Sequence, residues 1–459
     1  MKRINLTHVL CCLIIFFSSC KKEWFDAKPN KSIVVPKTVE DYQAILDNNT
    51  TTSLFNYNQP GLCEVSSGDY YLSFANWQGL NLAQDRNSYI WASDIYQGET
   101  NGYDWNSAYN VILNTNVVLE GIENVSKTAN NEQTWNNVKG SALFYRSYMF
   151  YSLAQEFCKP FIQTTATTDL GILLRTTSDI NVKVGRSNVQ QTYDQIINDL
   201  MSAKNFLPKT ATFPSRPSKN AVWAMLARVY LSMENYDKAL LYADSCLQSS
   251  NVLLDFNALN LMALTPLTRF NSEVIFYQLL QNYNSFNCII PRLIVDSTLY
   301  KSYDPNDLRK NIYFTTISNL TTYKGYFNND VALFSGLATD EIYLIRAECY
   351  ARKGNTTAAL NDLNNLLQTR FKAGTFVPLT AVGADEALTK ILIERRKELV
   401  YRGLRWSDLR RLNRDPRFAI TLTRVLNGQA YTLMPNDPKY IFPIPNIEIT
   451  LNGIEQNIR

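Results

Sequence analysis

Two stretches, Asn220–Gln248 and Asp340–Arg370, place large and small residues in the same order at helical spacing, and this limits the fold more than any other feature of the chain. In the first, Trp223, Leu226, Ala227 and Tyr230 fall at i, i+3, i+4 and i+7 and line one helix face. Glu234-Asn235 breaks the pattern, and Ala239, Leu240, Ala243 and Cys246 then line a second helix. In the second stretch Tyr343, Ala347 and Tyr350 stand where Trp223, Ala227 and Tyr230 stood, Gly354-Asn355 makes the turn, and Ala359 matches Ala239. A bulky side chain at Ala227 or Ala239 would push two helix backbones apart, so alanine there implies close packing. This is the tetratricopeptide arrangement. A related segment at 141–161 is expected to pair with 191–208, which ends at the helix-stopping Pro208. Long irregular stretches separate these pieces. The expected fold is therefore mostly α, with helical hairpins and long insertions carrying a few short strands, and not a regular solenoid.

The insertions are residues 56–106, rich in Tyr, Trp, Asn, Gly and Asp, and residues 248–338, where Glu273 to Leu279 reads as a short strand. An arginine-rich helical block follows at 387–413. The tail is extended at Phe442-Pro443-Ile444-Pro445, because proline disfavours helix at its own position and at the one before.

The first residues read as an export signal. Lys2 and Arg3 precede the apolar run Val9 to Phe17, which is shorter than the ~20 residues a membrane-spanning helix needs. Ser18-Ser19-Cys20 then resembles a bacterial lipobox, with Phe17 where such boxes usually carry Leu. That resemblance implies cleavage of residues 1–19 and acylation of Cys20. No later run is long and apolar enough to span a bilayer, so the body is expected to be anchored by its lipid. The one histidine, His8, belongs to the discarded segment. Without imidazole, triads, Cys-His pairs and most catalytic zinc sites are excluded. Cleavage leaves 43 basic against 41 acidic residues, a net +2, which gives no electrostatic case for nucleic acid. Cys63, Cys158, Cys246, Cys288 and Cys349 are widely spaced, with no metal-ligand pattern. Cys246 and Cys349 lie within apolar helical patterns and read as buried thiols, while a disulfide in an oxidising compartment stays open.

The block ERRKELVYRGLRWSDLRRL at 394–412 resembles the hallmark of the SusD/RagB family of nutrient-binding outer-membrane lipoproteins, through Glu394, Arg395, Glu398, Gly403, Arg405 and Asp408. Arg402 stands where the family commonly has Glu. The ending FPIPNIEITLNGIEQN, Arg146, Gly171, the run from Arg186 through Tyr193 to Leu207-Pro208, and the opening WFDAKPNKSIVVPKTVEDYQAILDN are similar to the family as well. The resemblance implies a lipid-anchored N-terminal segment at 20–45 and a single SusD-like domain at 46–459. Within that domain the N-terminal part runs to about 215 and the C-terminal part begins near 270. It implies a cell-surface protein with no cofactor and no catalytic activity. The implied function is to bind an oligosaccharide, or a peptide as in the RagB branch, and to act as a lid over a SusC-like TonB-dependent transporter.

A saccharide needs flat aromatic faces and Asn, Asp, Gln or Arg for its hydroxyls. The segment 68–96, which reads as loop, supplies both in Asp69, Tyr70, Tyr71, Asn76, Trp77, Arg86 and Trp91. Tyr283, Asn284, Phe286 and Tyr326 are secondary candidates in the later insertion. The arginines Arg395, Arg396, Arg405, Arg410 and Arg411 are interleaved with Glu394, Glu398 and Asp408, which favours structural ion pairs over an anion site. A hydrolase would need only two carboxylates, for which Asp69 with Asp85 or Asp94 could be named. Asp304-Pro305-Asn306-Asp307 offers oxygens but lacks the glycine of a calcium loop.

Overall fold

The computed structural model describes residues 35–48, 55–287, 292–324 and 332–459. The export signal, Cys20, Cys288 and Tyr326 lie outside them. Ten helices carry the architecture: α1 (Val39–Leu46), α2 (Tyr103–Ile122), α3 (Glu132–Phe157), α4 (Val189–Phe206), α5 (Lys219–Ser232), α6 (Tyr236–Ser249), α7 (Thr339–Arg352), α8 (Thr356–Gln368), α9 (Ala384–Glu398) and α10 (Arg405–Leu412). The strands described form five two-stranded antiparallel pairs between or beside these helices. The expected mostly helical class, with helical hairpins and a few short strands, is the observed one.

Hairpins α5–α6 and α7–α8 turn by the same device. Glu234 and Gly354 adopt left-handed φ of 56° and 79°. The next residue, Asn235 or Asn355, donates its N–H back to the carbonyl of Tyr230 or Tyr350, at 2.9 Å in both cases, closing the helix end. Its side chain then accepts the backbone N–H of Lys238 or Ala358, at 3.1 Å in both, and so caps the following helix. Ala227, Ala239, Ala347 and Ala359 are fully buried at the crossings. An Ala227→Leu substitution should therefore overpack the α5–α6 contact and cost about 1–3 kcal/mol, read as a lower urea midpoint with unchanged slope.

Helix α3 pairs with α4 as an antiparallel couple. Arg146 forks onto Asp199 at 2.7 and 2.8 Å, Ser147 donates to the Ile196 carbonyl at 2.9 Å, and Gln155 reaches Tyr193 at 2.8 Å. Asn188 and Gln191 form a reciprocal capping box that starts α4, and Leu207 ends it before Pro208. Helix α2, which the sequence reading does not identify, packs on α3, and α1 packs on both. One main core runs from Val39 to Ile454. A smaller one joins α7, α8 and α9 through Leu344, Ala347, Leu363, Leu366, Leu388 and Ile391. The expected strand near 273–279 is present as Val274–Phe276, paired with Leu337–Ala338. Cys63, Cys158, Cys246 and Cys349 are buried and free of disulfides. Burial raises all four thiols, Cys158 to about 11, which makes them poor nucleophiles.

Candidate functional site

The first insertion is more ordered than a loop. Tyr70–Tyr71 pairs with Ile294–Val295 from the second insertion, Tyr70 opposite Val295 and Tyr71 opposite Ile294. Strand alternation buries Tyr70 and turns Tyr71 outward, 43% exposed. Ser73 accepts the Asn76 N–H at 3.1 Å and starts a short helix, Phe74–Gln78. That helix sets Phe74 and Trp77 side by side, with ring centroids 5.9 Å apart and planes 26° from parallel. The Trp77 indole N–H donates to the Arg86 carbonyl at 3.0 Å, and the Arg86 guanidinium donates to the Leu80 carbonyl. Asn76 donates to the Arg292 carbonyl at 3.3 Å, and Arg292 donates to the Gly79 carbonyl at 3.1 Å. At the end of the strand pair, Arg396 donates to buried Asp69 at 2.9 Å and lies 3.5 Å from Asp296. The Arg396 and Asp296 side chains stay part-exposed. Flat rings, amide groups and a part-exposed charge pair therefore occupy connected elements of one surface.

Of the residues singled out in the sequence, Tyr71, Asn76, Trp77 and Arg86 belong to this surface. Asp69, Tyr70 and Trp91 do not reach it: all three are buried, Asp69 on Arg396 and Trp91 on the Ser66 carbonyl at 3.2 Å. Tyr283 and Phe286 are also buried, and Asn284 is part-exposed. The Tyr283 hydroxyl donates to Asp104 at 2.9 Å. Phe74, Arg292, Asp296 and Arg396 complete the surface without having been singled out as ligand groups. Ser73, a good helix-starting residue, is the one local signal for Phe74. Arg292 and Asp296 arrive through a pairing more than 200 positions away, which no local pattern announces.

The carboxylates considered for hydrolysis are each engaged. Asp69 is held by Arg396. Asp85 is buried and accepts the Ser285 N–H at 3.1 Å, and burial pushes it up to about 6. Asp94 accepts the N–H groups of Tyr96 and Gln97, both at 3.0 Å. Asp307 of the Asp304–Asp307 stretch spends both oxygens on Arg309, at 2.9 and 2.6 Å. Among the described residues no cluster of His, Cys, Asp or Glu is placed to hold a metal ion.

The arginine block forms a buried ionic lattice behind this surface. Arg309 meets Asp307, Glu394 and Glu398, and Arg370 meets Glu398 and Glu273, all at 2.6–2.9 Å. Arg395 pairs with Asp408 at 2.8 Å, and Arg411 joins Asp408 to Glu348 of α7. Arg402 pairs with Asp340 at 2.7 Å. Arg405 lies 3.9 Å from Asp69. Arg410 donates instead to the backbone carbonyls of Gln155 and Cys158. Gly403 adopts φ of 70° and donates its N–H to Glu64 at 3.0 Å.

Several carboxyls here are shifted upward. Burial raises Glu64 to about 8, with Asp69 adding to it. Burial also raises Glu273 to about 7 and Asp104 to about 6. In the unfolded chain such groups ionise near 4–4.5, so the folded state holds more protons between those values. Their contribution is complete below the unfolded pKa and is lost as pH rises through 6–8. Glu348 runs the other way: burial raises it, but Arg411 and Arg352 prevail and hold it at about 2, so its contribution is lost on acidification. The thermal midpoint should therefore fall between pH 5 and 9; a midpoint that rises across that range would contradict these assignments.

Fold and site together describe a helical, tetratricopeptide-like protein with an aromatic and amide surface. Residues 23–231 match the SusD-like family described as "starch-binding associating with outer membrane", and residues 339–458 match the SusD family model shared with RagB. The chain belongs to the SusD/RagB family. It is 23% identical over 430 residues to a SusD-like protein P2 of Formosa agariphila, across 79% of this chain and 81% of that one. A SusD superfamily protein of Bacteroides thetaiotaomicron has the same fold, with TM-score 0.72, 22% identity and coverage of 92% of this chain and 100% of that one. A SusD-like carbohydrate binding protein of Bacteroides vulgatus superposes with TM-score 0.70 at 22% identity, covering 91% and 97%. No described helix is long and apolar enough to cross a membrane.

Proposed function

We propose that this protein binds an oligosaccharide on the Tyr71, Phe74 and Trp77 surface. It passes that ligand to a SusC-like TonB-dependent transporter while anchored to the outer membrane by acylated Cys20. The observation that carries the reading is the near-parallel, half-buried Phe74–Trp77 pair in the turn that follows exposed Tyr71, with Asn76, Arg292 and Arg396 on elements joined to it. Sugar rings stack their C–H faces on such rings while amides and guanidinium bind the hydroxyls. The family's starch-binding description and the carbohydrate-binding name of the Bacteroides vulgatus relative support the ligand class. No chemical step is assigned to the chain.

A glycan array run beside a peptide-binding assay tests this. Glycan retention is expected. Retention of peptides alone would replace the reading with RagB-like peptide uptake, and new reducing ends from purified protein would replace it with hydrolysis. Gentle detergent extraction of the outer membrane should co-purify a large β-barrel partner; a clean monomer would count against the lid.

A further inference from the structure

We infer that Arg424 is a positioning residue for the ligand surface, acting through Tyr89; this rests on the reading of the Phe74–Trp77 surface as the glycan platform. Arg424 comes from an antiparallel hairpin, Leu422–Leu426 paired with Gln429–Leu433, far along the chain from that platform. It is 5% exposed. Its guanidinium carbon lies 3.7 Å from the centre of the Tyr89 ring, 4.6 Å from Trp91 and 5.8 Å from Tyr70. It donates to the Tyr89 carbonyl and, at 2.9 Å, to the Val65 carbonyl, while its Nε–H has no acceptor.

Of the other buried arginines, Arg146, Arg228, Arg309, Arg370, Arg395, Arg402 and Arg411 pair with carboxylates, and Arg410 is held by backbone carbonyls alone. Arg424 is held by aromatic faces and two carbonyls instead. Burying a guanidinium without a carboxylate is costly, and a methionine would fill the same space without that cost. What arginine adds here is a planar cation that fixes the Tyr89 ring from its face while gripping the backbone at both Tyr89 and Val65.

Tyr89 carries this constraint to the platform. Its hydroxyl accepts the Leu72 N–H at 2.8 Å. Leu72 lies between Tyr71, which faces the ligand surface, and Ser73, which starts the turn carrying Phe74 and Trp77. Tyr70, also over the guanidinium, precedes Tyr71 in the same strand. One side chain from the hairpin therefore bears on both neighbours of Tyr71, at the start of the segment that presents the three rings.

Fluorine NMR of fluorotryptophan-labelled protein tests this, with Trp77→Phe identifying the Trp77 resonance. Arg424→Met should fold with a urea midpoint lowered by the loss of the donors to the Tyr89 and Val65 carbonyls, shift or broaden the Trp77 resonance, and weaken binding of the best array glycan about tenfold. Arg424→Lys, which keeps charge but loses the planar fork, should be intermediate. Arg424→Met with wild-type affinity and an unmoved Trp77 resonance would overturn the inference. If Arg424→Met does not fold, Tyr89→Phe decides: it keeps the stacked ring and removes only the acceptor for Leu72, and an unmoved Trp77 resonance there overturns the inference equally. If Trp77→Ala leaves glycan affinity intact while Arg424→Met still moves the resonance, the platform reading fails and the positioning role stands.

Discussion

Glu398→Gln should cost about 3–5 kcal/mol of folding stability, the range for breaking a buried ion pair by removing one partner. Glu398 is fully buried and divides its two oxygens between Arg309, at 2.9 Å, and Arg370, at 2.8 Å. Glutamine keeps the shape, loses the charge, and aims an amide N–H group at a guanidinium. Arg309 still has Asp307 and Glu394, and Arg370 still has Glu273, so the lattice loses its joint and not its members. Because Glu273 is the acid left to answer Arg370, its proton should come off at lower pH in the variant. Urea unfolding reads the loss directly. Arg417→Ala, which removes exposed pairs with Asp385 and Asp415, is the control and should leave the midpoint unmoved. A Glu398→Gln midpoint equal to that control would mean that the lattice contributes no net stability.

Trp77→Ala should abolish most glycan binding. Aromatic anchors at binding surfaces carry about 2 kcal/mol or more, close to thirtyfold in affinity. Trp77 supplies one of the two stacked faces, and its indole N–H also holds the Arg86 carbonyl, so truncation removes a contact and loosens the turn. Trp77→Phe separates the two effects by keeping a face and dropping the donor, and should lose only a few-fold. Titration calorimetry against the retained glycan, with circular dichroism to verify the fold, measures both. Alanine at 77 with undiminished affinity would move the binding site elsewhere.

What could be read from the sequence followed physical range. The paired hairpins were legible because their determinants are local: an alanine at each crossing, a left-handed residue at Glu234 or Gly354, and an asparagine cap directly after it. Helix α2 also has a local signature, with Trp105, Ala108, Ile112, Thr115, Val118 and Ile122 on its buried side, but four asparagines dilute it. The hairpin that carries Arg424 is marked by Asn427-Gly428, both at positive φ as a two-residue turn of this type requires, yet it goes unpredicted. The site was half legible. Residue types pointed to Tyr71, Asn76, Trp77 and Arg86. They could not separate these from Asp69, Tyr70 and Trp91, because alternation along a two-residue strand and burial under a distant hairpin are tertiary facts. Arg396 reads as structural from the sequence, and it clamps Asp69 while keeping a part-exposed edge beside Asp296.

The tail also dictates when folding can finish. Asn457 donates to the carbonyls of Phe157 and Phe442 and accepts from Arg186, and the Phe442 N–H reaches back to the Glu156 carbonyl. The end of α3 and the strand Arg186–Asn188 therefore lack these partners until residues 442–457 arrive, some 250 positions later. A chain emerging amino end first carries α3 and α4 open until then, so a stop upstream of Asn457 should leave a long-lived, protease-sensitive intermediate.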